Sequence, residues 1–279
     1  MNICSVQNNT NFKAGLTKQI MQKEKSIRVS DVKNQLTHSP YRDWQDLYLL
    51  DFRGNKAHAL ACKMCAKIFV QFKKAHDYRK NMSVQKLVLP HGIYVFNENE
   101  LSTTLPEELH QFFTANINHN NTFRNKMLIY RQTIMLNNFY KSFEELDVQM
   151  DENKHNNFLS SGHFLHGHIH EWIHAIQGKI IYNMAFIRSG SYEATIHNYF
   201  KQELSEQERE IVADTLGEFA SAQEKNQYPE VFAEAWTKFI CNSLNKDCSG
   251  FDKDPIDELK KTPKEFQTIL KKVSDIKIK

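Results

Sequence analysis

Apolar residues recur at helical spacing over Lys56–Tyr78, where Ala57, Ala61, Met64, Ile68 and Phe72 fall near one face and lysines lie opposite. Just before it, Tyr41–Phe52 is aromatic and amphipathic and predicts another helix, punctuated by Gly54-Asn55. The period changes at Ser83. Leu87–Phe96 (LVLPHGIYVF) is short, β-branched and aromatic, and its Pro-His-Gly interruption predicts a strand pair or a bent edge strand. Lys126–Leu136 (KMLIYRQTIML) is strand-like, with a helix as the alternative. Between them, Pro106 opens a helix to about Ala115, with Glu107 and Glu108 in its first turn. Further on the pattern is mostly helical. Ser205–Glu208 has capping-box spacing and Gly217 is a natural stop. Pro229 occupies the first turn of PEVFAEAWTKFICNSL, and Thr262–Glu265 reads as a second capping box before a basic C-terminal helix.

Residues 1–35 are polar and Asn-rich, which predicts a mobile N-terminal arm, a short docked helix around Leu16–Gln22 being the alternative. The resulting expectation is an α+β chain: the arm over 1–35, a helical segment over 36–82, and a helix-rich domain over 83–279. A small sheet would precede a His-rich helix in that domain.

Composition narrows the function. Hydrophobic residues make up 41% and charged residues 25% of the 279 residues, ordinary globular usage. A net charge of +3 gives no electrostatic argument for nucleic acid as a partner. No apolar run approaches the roughly 20 residues of a membrane-spanning helix. The first 30 residues lack the apolar core of a signal peptide, which predicts a cytoplasmic protein, or export by a route that reads no such signal. Five scattered cysteines do not make a disulfide framework. The unusual feature is histidine: 13 in all, five of them from His163 to His174.

His170-Glu171-Trp172-Ile173-His174 is an H-E-x-x-H. On a helix, His170 and His174 are i and i+4, so both imidazoles leave one side and can meet a single Zn²⁺. Glu171 lies about 100° round the helix, within reach of a zinc-activated water without being a ligand, and can act as general base. The bland alternative is a helix that happens to carry two histidines, so a third ligand decides. Glu193, separated from His174 by 18 residues, has a spacing familiar from aminopeptidase-type gluzincins. Glu218 follows Gly217. Glu230 and Glu234 share a helix face, suited to one ligand and one carboxylate that accepts the free N–H of a ligating imidazole, though acidic residues also favour a helix start. Phe232, Trp236, Phe239 and Ile240 would pack that helix into the domain.

The stretch Glu230-Val231-Phe232-Ala233-Glu234-Ala235-Trp236 resembles the E-x-F-A-E-A-[FW] segment of anthrax-lethal-factor-like zinc metallopeptidases, a gluzincin family in which it follows the H-E-x-x-H helix by tens of residues. Leu259–Gln267 is similar to the closing helix of that catalytic domain. The resemblance covers about Gly162 to the C-terminus. It implies a zincin-like fold and a zinc endopeptidase acting on a peptide or protein, with Glu230 as third ligand and Glu234 supporting the site. The chain departs from the family at Phe219, where the family has a Tyr whose hydroxyl serves the oxyanion or leaving amine. Tyr228 or a histidine could supply that donor, and His166, one turn before His170, is the best placed of the extra histidines. The alternative reading of the whole is a catalytically weak, protein-binding zincin-like domain that keeps zinc for structure. Cys62 and Cys65 lie inside a helical pattern and read as buried small residues rather than as a zinc or redox pair. The basic C-terminal helix reads as core packing with a solvated lysine side.

Overall fold

The structure, a computed structural model, describes residues 16–40, 49–76, 89–90, 92–97, 128–130, 133–188, 204–221 and 228–274. Thr17 accepts the Ile20 N–H and starts α1 (Lys18–Ser26), and α2 (Val29–Thr37) follows after a two-residue break. Apolar side chains are sparse here, but Ile20, Val32 and Leu36 are all buried in the main core. Each such burial contributes about 2 kcal/mol toward offsetting the entropy of ordering these helices. The mobile arm expected over 1–35 is therefore corrected from Lys18 onward: this part of the chain is docked helix.

A second correction concerns Tyr41–Phe52. Leu49–Asp51 is not helical but a short strand, β1, paired in parallel with the next one; residues 41–48 lie outside the described set. Then α3 (Lys56–His76) runs for 21 residues, its predicted apolar face buried along with Leu60, Cys62 and Cys65. Strands β2 (Gly92–Phe96), β3 (Leu128–Tyr130) and β4 (Thr133–Asn137) complete a four-stranded sheet of order β1-β2-β4-β3. The pairs β1·β2 and β2·β4 are parallel, and β3 is antiparallel to β4. Every residue of β2 is buried, because it lies inside the sheet. That corrects the expected edge strand, and it explains why Gly92–Phe96 is continuously apolar rather than alternating. The helix expected from Pro106 to Ala115 lies outside the described residues.

Ser142 caps α4 (Phe143–His155), and the chain returns through Ser160–Leu165 to α5 (His166–Arg188), the His-rich helix. Residues from both sides of position 82 build one cluster. It includes Ile20, Phe52, Ile68, Ile93, Leu136, Phe143 and Trp172. A second cluster joins α6 (Glu206–Leu216), the short α7 (Glu218–Ser221), α8 (Tyr228–Ser243) and α10 (Lys264–Ser274), with α9 (Pro255–Lys260) between the last two. The Ser205–Glu208 capping box forms as predicted, and Lys272 of α10 pairs with Glu208. The second capping box does not: Thr262 donates its hydroxyl to the Leu259 carbonyl, finishing α9 instead of starting α10. Helix α8 is apolar on two sides, sending Ala233 and Ile240 to the main core and Val231, Ala235 and Phe239 to the second. No helix among the described residues is long and apolar enough to cross a membrane.

Gly217 ends α6 at φ 100°, and an added Cβ would stand 2.9 Å from the Asn157 carbonyl oxygen and 3.0 Å from that of Phe158. The tight approach lets Glu218 and Phe219 donate their N–H groups to those two carbonyls. Gly217→Ala is expected to cost about 2–4 kcal/mol of stability in urea unfolding, since strain and backbone overlap add.

Three histidines are buried away from carboxylates. His58 Nδ1 lies 2.9 Å from His168 Nε2, and His58 Nε2 donates to the Asn137 carbonyl. His163 Nδ1 accepts the Leu165 N–H, and its Nε2 lies 3.7 Å from Cys248 Sγ. Burial pushes His58 down to about 4 and His163 to about 3, and holds His168 well below the usual range. Because these folded values lie below the unfolded one, protons favour the unfolded chain, and stability is lost as pH falls below about 6.5. For His58 and His163 the loss is about 2 kcal/mol each at pH 5. Urea unfolding of chelator-treated protein should show a net decline from pH 7 to pH 5, the three histidine losses together exceeding the opposite contribution of Glu171, whose carboxyl burial raises to about 7. A flat profile would contradict it.

Candidate metal centre

Helix α5 carries His166, His170 and His174 four residues apart, one stripe on one side. Helix α8 carries Glu230 and Glu234 in the same way. The stripes meet and interdigitate, the helices running in opposite directions where they touch. Glu230 Oε2 lies 3.0 Å from His170 Nε2 and 3.2 Å from His174 Nε2, and the two imidazole nitrogens are 3.0 Å apart. One turn along, Glu234 Oε2 lies 3.4 Å from His170 Nδ1 and 3.1 Å from His166 Nε2. His170 thus stands between two carboxylates, one at each ring nitrogen.

The two ends of this ladder differ in access. Glu230 and His174 keep 33% and 12% of their side-chain surface, whereas His166 and Glu234 keep 2% and 0%. Ser160 fills the buried end: its N–H donates to Glu234 Oε1 and its hydroxyl reaches Oε2. The open end is where a substrate could reach.

Either triplet could hold a cation by distance alone. Tetrahedral zinc with bonds of about 2.0 Å sets its ligand atoms about 3.3 Å apart. The triangle of His170, His174 and Glu230 has edges of 3.0, 3.2 and 3.0 Å, close to that figure, and two imidazoles with one carboxylate are a donor set suited to zinc. In the buried triplet, Glu234 already takes Ser160, so it serves better as the partner that keeps a proton on His170 Nδ1 and leaves Nε2 facing Glu230.

In the metal-free site the electrostatics are those of an ion-pair cluster, and a cation bound at His170 Nε2 would have to displace its proton. Burial works against charge on His170, but Glu230 and Glu234 outweigh it and hold its pKa well above the ordinary value. Burial likewise opposes charge on both carboxylates, yet His174 and His170 beside Glu230, and His166 and His170 beside Glu234, hold them well below the usual range. These sites are built to keep carboxylates ionised. Glu171, buried on the next side of α5, is different. Burial raises it to about 7, with His170 and His174 pulling the other way. A carboxyl balanced near neutrality is what a general base requires.

Of the sequence candidates, His170, His174 and Glu230 come together, with Glu171 and Glu234 beside them. Glu218 is exposed and belongs to neither triplet. Glu193 lies outside the described residues, and so does the side chain of Tyr228, although its backbone begins α8. His166 is corrected: it does not line a cleft but lies 1% exposed behind His170, against Glu234. The Phe219 ring lies 5.7 Å from that of His170 and 5.4 Å from that of Phe158. Cys62, Cys65, Cys241 and Cys248 are free and buried, as small core residues are. Sequence reasoning missed Ser160, for which one of two adjacent serines in a polar stretch offers no signal.

Compared with models of known families, with curated proteins and with solved structures, the chain matches none of them, so the convergence of these side chains is what its function has to be read from.

Proposed function

We propose that the protein is a zinc-dependent endopeptidase of the gluzincin type, with a zincin-like arrangement of helices around a small sheet. The observation that carries this reading is the 3.0–3.2 Å convergence of His170, His174 and Glu230 beside a buried Glu171. His170 and His174 would hold the ion through Nε2 and Glu230 through its carboxylate. Zinc held there supplies Lewis acidity to water and to the scissile carbonyl. Glu171 takes the proton of the attacking water on its carboxylate and returns it to the leaving amine. Glu234 keeps His170 in the tautomer that presents Nε2, and the open end beside Glu230 and His174 admits the peptide.

A second reading, a zinc-holding domain that binds a protein partner and cleaves slowly or not at all, draws on Phe219. Its ring lies beside His170 where the resemblance calls for a hydroxyl, and losing one oxyanion donor costs about 10²–10³ in rate. Purified chain is expected to contain one zinc and to cleave members of a broad peptide library, with cleavage lost on chelation and restored by zinc. Glu230→Gln should lower zinc affinity severely while Glu193→Gln leaves it unchanged. Zinc without cleavage selects the second reading, and no stoichiometric metal removes both.

A further inference from the structure

The buried end of the ladder holds more than a zinc ligand needs. One carboxylate beside His170 Nδ1 suffices to set its tautomer. Yet Glu234 is fully buried, and three groups surround it besides that ring: the Ser160 N–H, the Ser160 hydroxyl and His166 Nε2. His166 is itself 1% exposed, and neither of its ring nitrogens makes an aligned hydrogen bond among the described residues, Nε2 meeting Glu234 at ion-pair distance only. Leaving a buried ring nitrogen unpaired costs about 1–3 kcal/mol, so an apolar side chain would suit packing better there. What the imidazole contributes is Nε2, 3.1 Å from the same oxygen, Oε2, that lies 3.4 Å from His170.

We propose that His166 is a positioning residue for the metal centre, clamping the Glu234 carboxylate against His170 Nδ1 so that His170 Nε2 stays turned toward Glu230 and His174. The inference rests on the zinc reading and extends it one step inward: His166 holds Glu234, Glu234 holds His170, and His170 holds the ion. It follows from placement. His166 is four residues before His170 and Glu234 is four after Glu230, so both second partners lie one turn deeper on the same two stripes. The His166 ring and Ser160 both contact the carboxylate that faces His170.

The test is zinc affinity by chelator competition on the full chain, with the cobalt-substituted absorption spectrum as a second readout. His166→Phe fills the space without a donor and is expected to weaken zinc about 10-fold. His166→Gln, which keeps an N–H, should recover most of that loss. In a Glu234→Gln background His166→Phe should add little, because the link it acts through is already broken. Should the phenyl ring prevent folding, His166→Met, apolar and adaptable, takes its place. Wild-type affinity in the folded apolar variant would overturn the inference, and so would a loss that simply adds to that of Glu234→Gln. Complete loss of zinc in His166→Phe with none in His174→Ala would place the ion in the buried triplet and overturn it as well. If the wild-type chain holds no zinc, the metal reading itself fails. If it holds zinc that His174→Ala releases but the apolar variant keeps, only the role of His166 fails.

Discussion

Glu171→Gln is expected to abolish nearly all peptide cleavage, a loss of about 10³-fold or more, while the chain keeps its fold and its zinc. The amide has the shape of the carboxyl but cannot take a proton from water, and general bases contribute about 10²–10⁴ in rate. Zinc should stay because Glu171 is not one of the three converging side chains. Melting should move little or upward, since Gln removes an ionisable group from a position only 9% exposed. Measured zinc content, melting temperature and turnover on one preparation decide the matter. A variant that turns over at more than a tenth of the wild-type rate removes the proposed mechanism, whatever the metal content.

His170→Ala should have the larger structural effect. His170 is buried and lies within 3.4 Å of both Glu230 and Glu234. Truncating it removes a ligand, leaves a cavity and takes one partner from a carboxylate with no solvent access. Breaking a buried ion pair typically costs about 3–5 kcal/mol, and zinc binding that stabilised the native state is lost as well. The expected result is no stoichiometric zinc and a clearly lower melting temperature even in chelator-treated protein. His174→Ala, at the more open end, should also release zinc but with a smaller loss of metal-free stability. Stoichiometric zinc in purified His170→Ala would exclude the triangle as the metal site.

Some of this was visible in the chain before any folding. The four-residue spacing of His166, His170 and His174, and of Glu230 and Glu234, needs only helical periodicity to put each set on one face. The Ser205–Glu208 capping box and the Gly217 stop are local chemistry, and both formed as read. Errors arose where partners are distant in sequence. Leu49–Asp51 is strand because β2, forty-odd residues away, offers parallel pairing. Ile20, Val32 and Leu36 order the N-terminal helices because a core made largely by later segments is there to cover them. Thr262 favoured finishing one helix over starting the next, two outcomes its spacing does not separate.

Residue types and short-range periodicity determined which side chains share a face, because a helix repeats every 3.6 residues whatever surrounds it. Only the tertiary structure decided that the face of α5 meets the face of α8, at which register, and which end stays open. It turned His166 from a cleft residue into a buried neighbour of Glu234, and it brought Ser160 to the same carboxylate. The physical reason is that register between two helices is set by packing on both sides of α8, the main core against one and the C-terminal cluster against the other, and no local interaction encodes it.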